Sequence, residues 1–175
     1  MKKRRGFTLI EVMISLSVLT MVLTGSAMLT ISAGRSFDLT QAQLDTSLNA
    51  AQGVQHLMLD LEEAKQVTVL SATSLRIFFP QVDANGNYIR SALDSVNTID
   101  YFRGTTAGAA STTGNCLVRQ PAGGSARVVC RGVTNVGFSS TNPSSVDITL
   151  DTQRSTYISS AQCNMVHRAI FLRNY

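Results

Sequence analysis

The chain has 175 residues, enough for one modest domain and a membrane segment. Its formal net charge is +4, but the first five residues contain four of the fifteen cations, and the other eleven Lys and Arg balance the eleven Asp and Glu. The basic character therefore belongs to the N-terminus, which argues against a general nucleic-acid-binding surface.

An uncharged segment of 23 residues runs from Val12 to Gly34. As a helix it would be about 35 Å long, and the apolar core of a bilayer is about 30 Å thick. Basic residues before it and a polar domain after it predict a cytoplasmic N-terminus and an external C-terminal domain. A cleaved signal peptide and a plain signal anchor are two alternatives, but neither explains the acid Glu11 at the start of this segment.

The stretch Arg5-Gly6-Phe7-Thr8-Leu9-Ile10-Glu11-Val12 resembles the processing site of type IV pilins and type II secretion pseudopilins. In that family an integral-membrane prepilin peptidase cuts after the glycine on the cytoplasmic side and then methylates the new amine. The resemblance implies that Gly6 ends the leader and that Phe7 is the N-methylated first residue. It also implies that Glu11, fifth in the mature chain, acts in assembly.

The physics of a carboxylate in lipid agrees with an assembly role for Glu11. A bare carboxylate there costs a few kcal/mol, so such residues usually have a partner or a function. Cleavage would create a cation at Phe7, and the resemblance implies that in the assembled filament the glutamate faces the amine of a neighbouring subunit. The alternative is that Glu11 lies at the headgroup level, points to water and suits the positive end of the helix dipole.

After Gly34 the apolar residues recur at spacings of three, four and seven, which predicts one helical stripe. Its members are Phe37, Leu44, Leu48, Ala51, Val54, Met58 and Leu61. We expect a nearly continuous helix from about Phe7 to about Gln66. Its first half would span the membrane or pack in a filament core. Its second half would lay this stripe on the core of a soluble domain rather than form a separate coiled coil.

From Val67 onward, β-branched and aromatic runs alternate with turn residues. They predict strands at Val67–Leu70, Ser74–Phe79, Val96–Arg103, Asn115–Gln120, Ala126–Arg131, Val133–Ser139, Ser145–Leu150 and Val166–Leu172. One long helix followed by strands predicts an α+β fold with an antiparallel sheet. The predicted organisation is a leader at 1–6, a transmembrane or filament-core helix at 7–34, its amphipathic half at 35–66 and an antiparallel β exocytoplasmic domain at 67–175.

Several of these runs resemble the minor pilin and minor pseudopilin subgroup of the PilW and J-type kind, with lower specificity than the leader. They are Ile99–Phe102, Leu117–Arg119, Val133–Phe138, Val146–Leu150 and Phe171–Asn174. The resemblance implies an inner-membrane precursor with a periplasmic domain, later incorporated in the pilus or pseudopilus. Its role would be to help prime or cap a type IV pilus or type II secretion pseudopilus with other minor and major subunits. The choice between the two machines stays open.

Three cysteines, Cys116, Cys130 and Cys163, would lie where disulfides are permitted. A hairpin loop centred on Gly123 predicts Cys116 opposite Cys130 and Leu117 opposite Val129, so this pair is the first disulfide candidate. Cys130 with Cys163 is the rival.

The sequence offers residues for two kinds of metal site, zinc and calcium. The wide spacing of the cysteines, His56 and His167 disfavours zinc. In Asp83-Ala84-Asn85-Gly86-Asn87, calcium is an alternative to a plain hairpin turn, but the glycine is misplaced for an EF-hand, and Asn-Gly is itself a turn signal.

The chain has no nucleophile elbow, phosphate loop or metal-spaced histidine pair, so we predict no catalytic residues, no cofactor and no enzyme. Two alternative functions stay open. One is an uncleaved single-pass anchor with an external binding domain. The other is a DNA-uptake minor pilin, whose basic stripe would be Arg103, Arg119, Arg127 and Arg131; solvated surface arginines are the favoured interpretation of these four.

Overall fold

The structure is a computed structural model that describes residues 8–142, 145–156 and 159–172. It has one long helix, α1 (Leu9–Glu63), followed by eight strands. The strands are β1 (Gln66–Ser71), β2 (Ser74–Val82), β3 (Tyr88–Gly104), β4 (Cys116–Pro121), β5 (Arg127–Arg131), β6 (Val133–Asn142), β7 (Ser145–Ser155) and β8 (Ser160–Phe171). All strand pairs are antiparallel, which confirms the predicted α+β class.

The chain divides into two compact units, with the boundary after Thr40. The first contains the N-terminal part of α1, and its described residues are exposed apart from the half-buried Leu39. The second contains the rest of α1 and all the strands. Within it the strands form a five-stranded sheet in the order β1-β2-β3-β4-β5 and a three-stranded sheet in the order β6-β7-β8. The sequence predicted one sheet, so the division into two is a finding of the structure.

The 41–63 segment of α1 buries a stripe of mostly small residues. Its members are Ala42, Thr46, Ala50, Gly53, Val54, Leu57 and Leu61. This corrects the predicted stripe: Leu44 and Leu48 are 58% and 59% exposed, Ala51 is exposed, and Met58 is half-buried, whereas Val54 and Leu61 are buried as expected. In the first unit Phe37 is also exposed. Small residues let a helix backbone approach a sheet closely, so residue size decides which face is buried.

The strands place alternate apolar residues in the core under this helix. In β7 the buried positions Val146, Ile148, Leu150 and Thr152 are separated by partly exposed ones, the period-two pattern of a strand with one covered face. The core draws residues from both sheets and from α1. Near the N-terminal end of the 41–63 segment, the Thr152 hydroxyl donates to the Thr46 carbonyl at 3.4 Å.

Gly132 makes the connection between the two sheets. It adopts φ of 74°, and a Cβ there would lie 2.8 Å from the Gln153 carbonyl oxygen, so a side chain is excluded by both conformation and space. The adjacent Val133 N–H donates to Asn115, and Gln153 donates to Gly132, at 2.9 and 2.7 Å. These two hydrogen bonds fix the backbone of the turn that connects β5 to β6.

The β4–β5 hairpin corrects the predicted cysteine register. Arg119 faces Arg127 as predicted, but the register shifts between Leu117 and Val118. As a result Cys130 faces Leu117 and Cys116 faces Arg131, so the two cysteines are diagonal rather than directly opposite. All three cysteines are free thiols in the structure, and the disulfide candidates therefore stay predictions.

Candidate functional site

The N-terminus of α1 is capped by reciprocal hydrogen bonds between Thr8 and Glu11. The Thr8 N–H and hydroxyl both donate to Glu11 Oε2 at 3.0 Å. In return, the Glu11 N–H approaches the Thr8 hydroxyl oxygen at 3.4 Å. This is a capping box, in which a residue at the N-cap and an acid three positions later satisfy amides that the helix leaves unpaired. Glu11 therefore has a local structural role in addition to any role in assembly.

The resemblance of the leader singles out Glu11 but not Thr8. The Thr-x-x-Glu spacing before an apolar run is the signal that would have found it. Gly6 and Phe7, the predicted cleavage residues, lie outside the described residues. Their roles stay predictions, as does the assembly role of Glu11.

The helix after Glu11 is suited to an apolar environment. By its length and composition, the helix is long and apolar enough to cross a membrane. Its large side chains are exposed along this stretch, for example Met21 at 79% and Leu29 at 74%. The apolar surface is therefore open to lipid or to another protein.

The hydroxyl groups of this segment are satisfied within the helix. Ser15 donates to the Glu11 carbonyl at 2.7 Å, and Thr24 to the Thr20 carbonyl at 2.7 Å. Ser17, Thr20, Ser26 and Thr30 make equivalent bonds to carbonyls three or four residues earlier. Such back-bonding lets serine and threonine enter lipid without an unsatisfied donor. The segment's polar residues are thus compatible with membrane insertion.

A charged cluster joins α1 to the five-stranded sheet. Asp60 accepts two bonds from Arg119, at 2.7 and 3.1 Å, and one from the Tyr101 hydroxyl at 2.6 Å. Burial is the main cause that raises the pKa of Tyr101, and the bond to Asp60 is the main cause that raises the pKa of Arg119. The cluster orients the helix on the sheet.

This cluster also bears on the DNA-binding alternative. Arg119 is bound to Asp60, and Arg103 Nε donates to the Gly114 carbonyl at 2.6 Å. Arg127 and Arg131 are exposed at the two ends of β5. Two of the four candidate arginines are therefore engaged in structural contacts, which weakens the case for a basic stripe.

Two of the three thiols belong to the core. Cys130 is buried in it and Cys163 is half-buried against it, and Cys116 is also a buried residue. Burial, with a smaller contribution from the two other cysteines, raises the pKa of Cys130 to about 12. Burial also raises the pKa of Cys116. The Cys116 and Cys130 thiols therefore stay protonated at neutral pH, which makes them poor nucleophiles. Among the described residues, no cluster of three His, Cys, Asp or Glu side chains could hold a metal ion.

The Asp83 segment forms a hairpin turn between β2 and β3. Asp83 Oδ1 accepts the N–H groups of Asn85 and Asn87 at 2.8 Å, and Gly86 adopts φ of 85°. These bonds, that from Asn87 first, lower the pKa of Asp83. The carboxylate serves the turn itself, in agreement with the favoured turn interpretation.

Comparison with protein families gives a match to the prokaryotic N-terminal methylation motif over residues 1–27. Comparison with curated proteins and with solved structures gives no match. The matched segment contains the Gly6-Phe7 junction, the capping box and the beginning of the exposed apolar helix. The match supports a type IV pilin-like protein with a membrane-anchoring N-terminal helix that is processed by prepilin peptidase.

Proposed function

We propose that this protein is a minor pilin or minor pseudopilin. It is made as an inner-membrane precursor, cleaved after Gly6, methylated at Phe7 and assembled into a type IV pilus or type II secretion pseudopilus. The observation that carries the proposal is the position of Glu11, in the first turn of an exposed apolar helix and four residues after Phe7. The match over residues 1–27 supports it.

In the proposed assembly step, Glu11 pairs with the N-terminal amine of a neighbouring subunit. The capping bonds from Thr8 go to Oε2, so Oε1 can accept a bond from that amine. A carboxylate and an ammonium that pair as they move out of the lipid neutralise each other. Neither group then pays the free-energy cost of an unpaired charge in the membrane. The pair would favour one axial register between adjacent helices. The β-rich domain at 67–175 would then contact other minor subunits to prime or cap the filament.

Processing is tested with Gly6→Ala. We expect the variant to remain at precursor mass, whereas the wild-type chain yields a mature N-terminus at Phe7 carrying one added methyl group. Intact-mass and N-terminal peptide analysis of both chains in the native host distinguish the two states. Normal cleavage of Gly6→Ala, or a wild-type N-terminus elsewhere, would overturn the proposal.

The charge of Glu11 and its capping role can be separated. Glu11→Gln keeps an acceptor at the capping position but removes the charge, whereas Thr8→Val removes the capping hydroxyl and keeps the charge. We expect Glu11→Gln to reduce incorporation into filaments strongly and Thr8→Val to reduce it little. Quantitative immunoblotting of sheared filaments against total membrane protein measures the effect. Equal incorporation of Glu11→Gln and wild type would remove the electrostatic account.

A further inference from the structure

The three-stranded sheet has a free edge at β8. β8 pairs with β7, and no described strand pairs with its other side. From Ser160 to His167 the register with β7 is uninterrupted, and the shift in this pair lies beyond, between Val146 and Ile148. An antiparallel edge of eight residues directs about four N–H and four carbonyl groups outward. These N–H and carbonyl groups can form backbone hydrogen bonds with one more strand.

The edge of β8 is not protected in the way the edge of β5 is. β5 carries exposed arginines at both ends, Arg127 and Arg131, a common means of preventing strand addition. β8 has no Asp, Glu, Lys, Arg or Pro from Ser160 to His167. The regular half of β8 therefore lacks the residues that usually block pairing.

An apolar groove lies beside this edge, within the domain at 41–175. It has a volume of about 410 Å³ and lies between the helix residues Ala51, Met58 and Leu59 and the strand residue Met165. The polar residues Gln55, Glu62 and His167 also line it, so the groove is mostly but not wholly apolar. Leu59 is 53% exposed and Met58 and Met165 are half-buried. A strand paired to β8 would place every second side chain in this groove. The backbone groups of the β8 edge and the apolar part of the groove would therefore both be satisfied by an extended strand with apolar residues at alternate positions.

We propose that this edge and groove form a docking site for an extended segment of a different pilin-like subunit, which adds to β8 as a fourth strand. The bound segment carries apolar residues at alternate positions. The identity of the partner class rests on the proposed function; the site itself rests on the β8 edge and the groove.

A second copy of this chain is a poorer occupant. Antiparallel pairing of two β8 strands would relate the copies by a two-fold axis perpendicular to the sheet. The 41–63 helical segments, which lie against the sheets, would then run in opposite directions. In each copy the β8 side chains Cys163 and Met165 already pack against that copy's own core, so they could not also fill the groove of the other copy. A strand from another subunit carries no such restriction.

The test uses the full-length mature chain in detergent micelles and the purified pilin-like subunits encoded in the same gene cluster. Hydrogen–deuterium exchange of the amides from Ser160 to His167 is measured for the chain alone and with each subunit added singly. We expect one subunit to slow exchange at alternate amides of this segment by about tenfold or more. The variant Ala51→Lys places a charge in the groove and should abolish that protection. Gln52→Lys, the same change at an adjacent exposed position outside the groove lining, should retain it.

Three outcomes would overturn the proposal. Protection that rises with the concentration of this chain alone would identify a second copy as the occupant. Protection of residues 44–59 without protection of β8 would identify helix docking. Absence of protection with every subunit would remove the site. The N-terminal mass of the same preparations is read in parallel, so a chain cleaved and methylated at Phe7 that shows no protection overturns the docking site and leaves the proposed function standing.

Discussion

Asp60 on α1 and Arg119 on β4 form a two-bonded ion pair across 59 residues of sequence. Their side chains are 16% and 28% exposed, and the same carboxylate accepts the Tyr101 hydroxyl. Removing the acid therefore leaves a cation and a phenol without their partner in a poorly solvated position.

We predict that Asp60→Ala lowers the free energy of unfolding of the domain by about 2–3 kcal/mol, because bonds to charged groups are lost and Arg119 keeps its desolvation cost. Glu62→Ala is the matched control, since Glu62 is an exposed acid on the same helix, and it should change stability by about 0.5 kcal/mol or less. Urea unfolding of the full chain in micelles, followed by circular dichroism, measures both. Equal losses in the two variants would show that the pair contributes nothing.

Gly53 offers a test of the close approach between helix and sheet. A Cβ at this position would lie 2.7 Å from the Cβ of Cys130, which is not the end of a flexible side chain. We expect Gly53→Ala to destabilise the domain by about 1–3 kcal/mol despite the better helix propensity of alanine. Gly34→Ala meets no atom within 4 Å and should not destabilise it. Thermal melts compare the two variants, and a stabilised Gly53→Ala chain would contradict the packing described.

The Cys130 thiol predicts a pH dependence of stability. Its pKa is raised to about 12 in the folded chain, so between the ordinary value of 9.0 and about 12 the folded state holds a proton that the unfolded state releases. The stabilisation is present below pH 9 and is lost as pH rises through that interval. Under reducing conditions, unfolding free energies measured from pH 8 to 11 should fall more steeply for wild type than for Cys130→Ala. Parallel slopes would show that this thiol is not desolvated.

The Asp83 turn predicts indifference to calcium. Asp83→Ala should speed amide exchange at Asn85 and Asn87, because Oδ1 accepts both N–H groups, and Asp83→Asn, which keeps an acceptor, should speed it less. Since the pKa of Asp83 is lowered, the bonds persist above its ordinary value of 3.8 and weaken as pH falls below it. Calcium at millimolar concentration should leave these exchange rates unchanged in wild type, and slowed exchange would favour a cation site.

The helix and the approximate positions of the eight strands could be predicted from the sequence because their patterns are local, but β8 begins at Ser160 and not at the predicted Val166. The 23-residue uncharged run and the β-branched runs between turn residues each report on neighbouring positions. The first half of β3, from Tyr88, was missed because its residues show no clear alternation and its pairing with β2 shifts twice. The division into two sheets depends on Gly132 and on contacts between distant strands, which no local pattern encodes.

The buried face of α1 could not be predicted by weighting large apolar residues. The spacing of the large apolar residues predicts Leu44 and Leu48 in the core, whereas Ala42, Thr46 and Ala50 are the residues that are buried there. The close contact with the sheet selects small residues, and the leucines remain on the opposite face. The predicted pairing of Cys116 opposite Cys130 was also wrong. The register shifts by one residue between Leu117 and Val118, and no pattern in the sequence indicates such a shift.

The contacts of the 41–63 helix segment have a consequence for the order in which the chain matures. The Thr46 carbonyl accepts its bond from Thr152, which lies 106 residues later in the chain, and Asp60 binds Arg119, which also lies later. Since the N-terminal part of a chain emerges first during synthesis, the small-residue face of the 41–63 segment stays uncovered until β7 has been made. A chain that stalls before β7 therefore exposes that face, which makes an incomplete chain a target for chaperones and proteases.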